Sequence, residues 1–308
     1  MPRAFFSFSS AKPPAAYAFL VGFFLSFSAT ATNPRSPQFL PSSSMPFPKM
    51  NSPAESPKSY SKVVSLAPVV TETLFSLGLA KNIVGVTRFC DRPSQAKHKE
   101  KIGGYVDVSL EKVLSLRPDL VIAMPSLGQR ALLEQIAGQG IDVYVVFGDT
   151  LVEVKDLIAG IGAVMNKEKE ASFLLAELEK GLKEAKATNA ITKKSVLLLV
   201  AAAPLVAAGP TTFANDALRV LGLSNAAQKG PQWPVLSLES LAALSPDLIV
   251  VVSGPNDGKN VREKVTAAGL KVRILVPSKP ILMRPGPSLH LDVQVLGKLL
   301  SSQPKIAQ

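Results

Sequence analysis

The chain has 308 residues, of which 47% are hydrophobic and 19% charged, with a formal net charge of +11. That length buries one or two ordinary cores and argues against disorder throughout, with two units of roughly 100 to 150 residues as the default organisation. Arg3, Lys12, Arg35, Lys49 and Lys58 against Glu55 alone place +4 of the charge before residue 60. The other bases are scattered, with no arginine-rich run or RNP-like aromatic stretch, so nucleic acid is not an expected partner.

In chain order, residues 1–31 read as a secretory signal. Arg3 and Lys12 precede the uncharged apolar run AAYAFLVGFFLSFSATA, which ends in a small-x-small pattern at Ala29-Thr30-Ala31. An uncleaved N-terminal anchor is the alternative, although the run is near the short limit for a spanning helix. No cysteine follows it, so a lipoprotein is not expected and the chain reads as exported. Residues 32–59 are rich in Pro and Ser without periodicity, the composition of a flexible or polyproline-like tether.

From Tyr60 onward, β-branched runs alternate with helical patterns. Strands are predicted at 62–67, 83–87, 120–123 and 143–146, and helices near 71–78, 110–116 and 128–138. Further strands are predicted at 195–201, 248–252 and 272–276. The expected fold class is α/β, with two Rossmann-like lobes of parallel sheet at 60–150 and 192–308. Between them, 151–191 is helical. From Lys167 its residues Phe173, Leu174, Leu178 and Leu182 make a narrow apolar stripe, predicting one long helix that joins the lobes and permits only modest hinge motion.

The two halves repeat each other. SLEKVLSLRPDLVIA at 109–123 returns as SLESLAALSPDLIVV at 237–251, with seven of fifteen positions identical. LFSLGL at 74–79 matches LRVLGL at 218–223, each expected to close a helix at its glycine. The offsets are 128 and 144, so the first half carries sixteen extra residues, which include TRFCDRP and IGGY. Loops lengthened in one copy of a duplicated scaffold are natural places for ligand contacts. Glu111 and Glu239 fall two residues after a Ser at an N-cap position, where the helix dipole alone favours a carboxylate.

VVSLAPVVTETLFSLGL, GVTRFCDRP, IGGYVDVSLEKVLSLRPDLVIA, SLESLAALSPDLIVV and RPGP stand in the order found in the helical-backbone class of ABC-transporter substrate-binding proteins. The chain resembles that class over about residues 60–305 and is most similar to its cobalamin-binding periplasmic members and their iron-siderophore and haem relatives. The resemblance implies a ligand-binding protein and not an enzyme, a monomer that receives a small molecule in the cleft between its lobes. The ligand it implies is cobalamin or another corrinoid, with a ferric siderophore or haem as the alternative. It also implies an ABC permease dimer of the inner membrane as partner, with Glu111 and Glu239 matching the family's docking glutamates.

Within the cleft, Phe89, Tyr105 and Trp233 match aromatic positions of the family, and Pro68 and Arg284 stand in the APVVTE and RPGP loops. A lone tryptophan is otherwise more often a core residue. The chain departs from the family's usual pattern at Phe89 and Arg92, where tyrosines are common, and at Ser288, where arginine is common. Arg88, Arg92 and Arg284 therefore suit an acidic ligand through charge-assisted hydrogen bonds, whereas a neutral corrin would use aromatic faces and backbone groups. No metal site is expected. The chain has only His98 and His290, and Cys90, which excludes an intrachain disulfide, reads as a small buried thiol before it reads as a cobalt or iron ligand. No G-x-S-x-G elbow, G-x-G-x-x-G or P-loop is present, which leaves a protein-binding adaptor as the alternative of a different class.

Overall fold

The computed structural model describes residues 58–124, 129–188 and 194–301. The signal and the tether as far as residue 57 lie outside the described residues. The first half forms a four-stranded parallel sheet from β1 (Val63–Ser65), β2 (Ile83–Val86), β3 (Leu120–Ala123) and β4 (Asp142–Val145), in the order β2-β1-β3-β4. These strands are short and largely apolar because both faces are covered. Val63, Leu120 and Ile122 face one apolar layer and Val64, Val121 and Ala123 the other. Helices α1 (Pro68–Ser76) and α4 (Leu151–Val164) cover the first face, and α2 (Leu110–Ser115) and α3 (Arg130–Gly138) the second.

The second half builds a six-stranded sheet. Here β5 (Ser195–Ala202), β7 (Ser224–Asn225), β9 (Leu248–Val251) and β10 (Arg273–Leu275) run parallel. Two further strands, β6 (Leu205–Ala207) and β8 (Val235–Leu236), are antiparallel and make this sheet mixed. The path is β10-β9-β5-β6-β8, with β7 paired to β5. Helices α7 (Leu238–Leu244) and α8 (Pro255–Ala267) cover its outer face, and α6 (Phe213–Val220) and α9 (Leu289–Ser301) its inner face.

The segment between the sheets holds two helices. α4 stops at Val164, Asn166 turns through a positive φ of 54°, and α5 (Glu168–Thr188) returns along α4, with Lys155 pairing to Glu179 at 2.8 Å. α5 is the expected long helix. Its buried face carries Ala171, Leu178, Leu182 and Ala185, with Leu174 partly buried, while Phe173 is 63% exposed. At about 100° per residue Phe173 falls roughly 140° around the helix from Leu178, on the side turned away from the core.

One apolar layer runs unbroken across the molecule. Val63 and Leu120 of the first sheet, Leu198 and Val250 of the second, and residues of α1, α4, α5, α6 and α9 belong to one contiguous core. Relative motion of the halves therefore has to shear this layer, whose packed side chains resist continuous deformation.

The repeat has the same local chemistry in both copies. Gly78 and Gly222 adopt φ of 77° and 73°. Leu79 N–H donates to the Leu74 carbonyl at 2.9 Å and Leu223 N–H to Leu218 at 2.9 Å, the Schellman closure in each case. Ser109 and Ser237 cap their helices through Lys112 N–H and Ser240 N–H. Arg117 and Ser245, each before the repeated proline, both take a left-handed φ, of 48° and 42°.

The repeated aspartate ties parallel strands in register. Asp119 accepts from Ser61 N–H at 2.7 Å and Lys62 N–H at 3.0 Å just before β1, and Asp247 accepts from Ser195 N–H at 2.7 Å at the start of β5. Hydrogen bonds to a charged acceptor are worth about 1.5–3 kcal/mol, and partial exposure puts these near the low end. Asp119→Ala is expected to lower unfolding stability in urea by about 1–2 kcal/mol, and Asp119→Asn, which keeps one acceptor oxygen, by less. Equal losses would assign the effect to something other than the strand clamp.

Candidate functional site

In the order β2-β1-β3-β4 the chain leaves β1 toward one side and returns to β3 on the other, which opens a crevice beyond their C-terminal ends. Pro68 stands there at the first position of α1, following the N-cap Ala67, and is buried. Ser65 Oγ fixes this turn by bonding to the Ala67 carbonyl at 3.0 Å and to Thr71 Oγ1 at 2.7 Å.

The loop after β2 carries Phe89, half-buried, with the Arg88 guanidinium 5.5 Å from its ring centroid. Arg88 also donates to both oxygens of Asp107, at 2.6 and 2.5 Å. That contact ties the Phe89 loop to the loop of Tyr105, and Gly104 leaves the space the guanidinium occupies. The Arg88 hydrogen bond holds the Asp107 carboxyl below its ordinary range. The Tyr105 carbonyl accepts from Gln129, whose side chain is buried just ahead of α3.

Arg284 reaches these loops from the other half of the chain. Its guanidinium bonds Asp91 at 2.6 Å, across 193 residues of sequence, and is the more buried of the two. Burial pushes the Asp91 carboxyl up, but the Arg284 hydrogen bond and charge outweigh it and the net shift is downward. A carboxylate with a depressed folded value contributes stability above its unfolded pKa of about 3.9 and loses it as pH falls through the folded value. The stability difference between the native chain and Asp91→Asn is therefore expected to be full above about pH 5 and to vanish below the ordinary carboxylate range, as read by thermal melting across pH. A difference independent of pH would break this linkage.

Trp233 lies on the stretch before β8 and is half-buried against the continuous core, edge-on to Phe213 with centroids 6.5 Å apart and planes at 65°. Its neighbours also meet the loop after β4. Phe213 N–H donates to the Asp149 carbonyl, and Gln232 bonds the Asp149 side chain, whose carboxyl burial pushes up. Gly209 allows the Pro231 and Gln232 backbone to approach, and its N–H bonds Gln232 O at 2.8 Å.

Phe89, Tyr105, Trp233 and Arg284 thus sit on loops tied by Arg88–Asp107 and Gln129–Tyr105 within the first half and by Asp91–Arg284 and the Asp149 contacts across the two halves, with Pro68 at the start of α1. Asp91, Asp107, Gln129, Asp149 and Gln232 join them as residues that sequence reasoning does not single out. Each is an isolated polar residue in sequence, and only the partner brought by the fold distinguishes it. Arg92 points elsewhere, into a groove along α1. Cys90 is buried, its thiol is pushed up by burial, and it lies 3.2 Å from Thr87 Oγ1. Glu111 and Glu239 are both exposed in the first turns of α2 and α7. Among the described residues no helix is long and apolar enough to cross a membrane.

Comparison with known proteins places this arrangement. The chain is 35% identical over 201 residues to an uncharacterized ABC transporter substrate-binding lipoprotein of Bacillus subtilis, covering 63% of this chain and 64% of that protein. The match therefore spans a little under two thirds of that relative's length. It is 25% identical over 244 residues to a vitamin B12-binding protein of Photorhabdus laumondii, covering 78% and 88% of the two chains. A possible iron-binding periplasmic solute-binding protein of Staphylococcus epidermidis superposes with a TM-score of 0.67 at 25% identity, covering 79% of this chain and 99% of that one. These relatives are solute-binding proteins, not enzymes. The periplasmic binding protein family matches residues 63–269, and the chain belongs to it.

Proposed function

We propose that the chain is the substrate-binding component of an ABC importer, capturing cobalamin or a related corrinoid in the periplasm and delivering it to a membrane permease. The observation that carries the ligand class is the state of the two cleft arginines. Arg88 is paired with Asp107 and Arg284 with Asp91, so each arginine already faces a carboxylate of the chain itself. What remains around the crevice is aromatic, Phe89, Tyr105 and Trp233, because Gln129 is buried against the Tyr105 carbonyl and Gln232 is bonded to Thr211 and Asp149. Such groups suit an uncharged, amide-bearing ring, and the vitamin B12-binding relatives agree with that reading. In this reading Pro68, Phe89, Tyr105 and Trp233 contact the ligand, Arg284 positions the cleft wall through Asp91, and Glu111 and Glu239 dock onto the permease. Residues 1–31 serve as the export signal, and the exported chain acts as a monomer without a lipid anchor.

A ferric siderophore or haem is the second reading, favoured by the likeness to a possible iron-binding periplasmic protein and to a periplasmic haem-binding protein. Isothermal titration with cyanocobalamin, haem and a panel of ferric siderophores separates the two. Saturable 1:1 binding of cyanocobalamin, with haem and the ferric chelates weaker by about 100-fold, is expected. The reverse order transfers the assignment to the acidic ligands, and heat from none of them leaves a protein-binding adaptor.

A further inference from the structure

A groove of about 840 Å³ runs along the C-terminal half of α1, walled on one side by the loop that follows β2 and on the other by the start of α9. None of Pro68, Phe89, Tyr105, Trp233 and Arg284 lines it. On the helix side the groove runs from Glu72, four residues and about 6 Å beyond Pro68, on through Phe75 and Ser76 to Lys81, away from the strand ends, and shares no lining residue with those five.

Its chemistry is two-sided. Phe75, Pro93 and Leu291 supply apolar surface, and Leu291 is 51% exposed. Glu72 and Asp292 also line the groove, and each spends one carboxylate oxygen on a local hydrogen bond. Glu72 accepts from Ser288 N–H at 3.2 Å and from its hydroxyl, and Asp292 accepts from Leu282 N–H at 2.8 Å. Lys81, Arg92 and Lys99 form no ion pair with a described carboxylate. The groove therefore presents three cations outside any ion pair against two carboxylates, beside an apolar wall and in a volume within the ordinary range for small-molecule sites.

We infer that this groove is a second ligand site, for an amphipathic organic anion whose apolar body packs on Phe75, Pro93 and Leu291 and whose acid group meets Lys81, Arg92 and Lys99. Because its walls come from both halves of the chain, an occupant bridges them. The probe is 1-anilinonaphthalene-8-sulfonate, an aromatic sulfonate, titrated into the full chain at low ionic strength with decanoate as competitor. Saturable fluorescence enhancement, reversed by decanoate, is expected. Lys81→Glu/Lys99→Glu is expected to weaken binding at least about tenfold, since it replaces attraction with repulsion at the rim. The charge-matched Lys180→Glu/Lys259→Glu, at positions with side chains 79% exposed on α5 and α8, is expected to change it less than about twofold. Trp233→Ala, which alters the crevice, is expected to leave it intact. Leu291→Glu repeats the test at one exposed position should the double substitution compromise the fold. An unchanged affinity in the groove variants, an equal loss in the charge-matched control, or loss on Trp233→Ala would each overturn the assignment.

Discussion

Titration with cyanocobalamin is expected to quench the fluorescence of Trp233, and Trp233→Ala is expected to weaken that ligand by about 30-fold or more. Trp233 is the only tryptophan, so the signal has a single source. Phe213 meets it edge-on and the Gln232 backbone is fastened to Gly209, so the indole is held before any ligand arrives. A pre-positioned aromatic loses little freedom on binding, and that is the condition under which one ring dominates an interface. Phe213→Leu provides the complementary measurement. It loosens the indole without removing it, so affinity should fall by less than in Trp233→Ala while quenching persists. If Trp233→Ala binds as the native chain does, the indole serves only as the edge of the core it packs on.

The parallel strands were legible because burial on both faces forces a run such as LVIA or SVLLLVA, and such runs have few other uses in a soluble unit. β6 and β8 were not, since three and two residues next to prolines carry no periodicity of their own. β6 forms by folding back on β5, and β8 in turn pairs with β6. The repeated Ser-Leu-Glu drew attention to its glutamates, whereas the aspartate of Pro-Asp-Leu has the clearer structural reason, a clamp on the neighbouring strand 57 or 58 residues away in the first copy. Phe173 illustrates the limit of reading a stripe residue by residue. An apolar side chain one step from the buried face is indistinguishable in composition from one on it. For the site, the aromatics and Arg284 could be marked from their loops, but whether an arginine serves a ligand depends on whether a carboxylate has already taken it. The Asp91–Arg284 contact joins positions 193 residues apart, so no local motif could show that Arg284 already has a carboxylate partner.

The double substitution Glu111→Gln/Glu239→Gln is expected to abolish stimulation of the partner transporter in reconstituted vesicles while leaving cyanocobalamin affinity unchanged. Both residues are exposed, each two positions after a serine that already caps its helix, so the helices start without them. Glu239 does contribute locally. A hydrogen bond from its own backbone N–H, with a second from Ser237, holds its carboxyl below the usual range. A glutamine keeps an acceptor oxygen at that position, so the melting temperature should change little. Docking makes a different demand. An arginine of the permease buried against a neutral amide keeps its desolvation penalty and loses the attraction that offset it, which weakens an interface by about 30-fold or more for each pair removed. The single variants should therefore each lose most of the stimulation and the double variant essentially all of it, with raised salt reducing the native chain's stimulation in the same direction. Full stimulation by a double variant that melts and binds ligand normally would reduce the duplicated glutamates to helix starts, and the search for the docking surface would move to other residues of the two pseudo-equivalent corners.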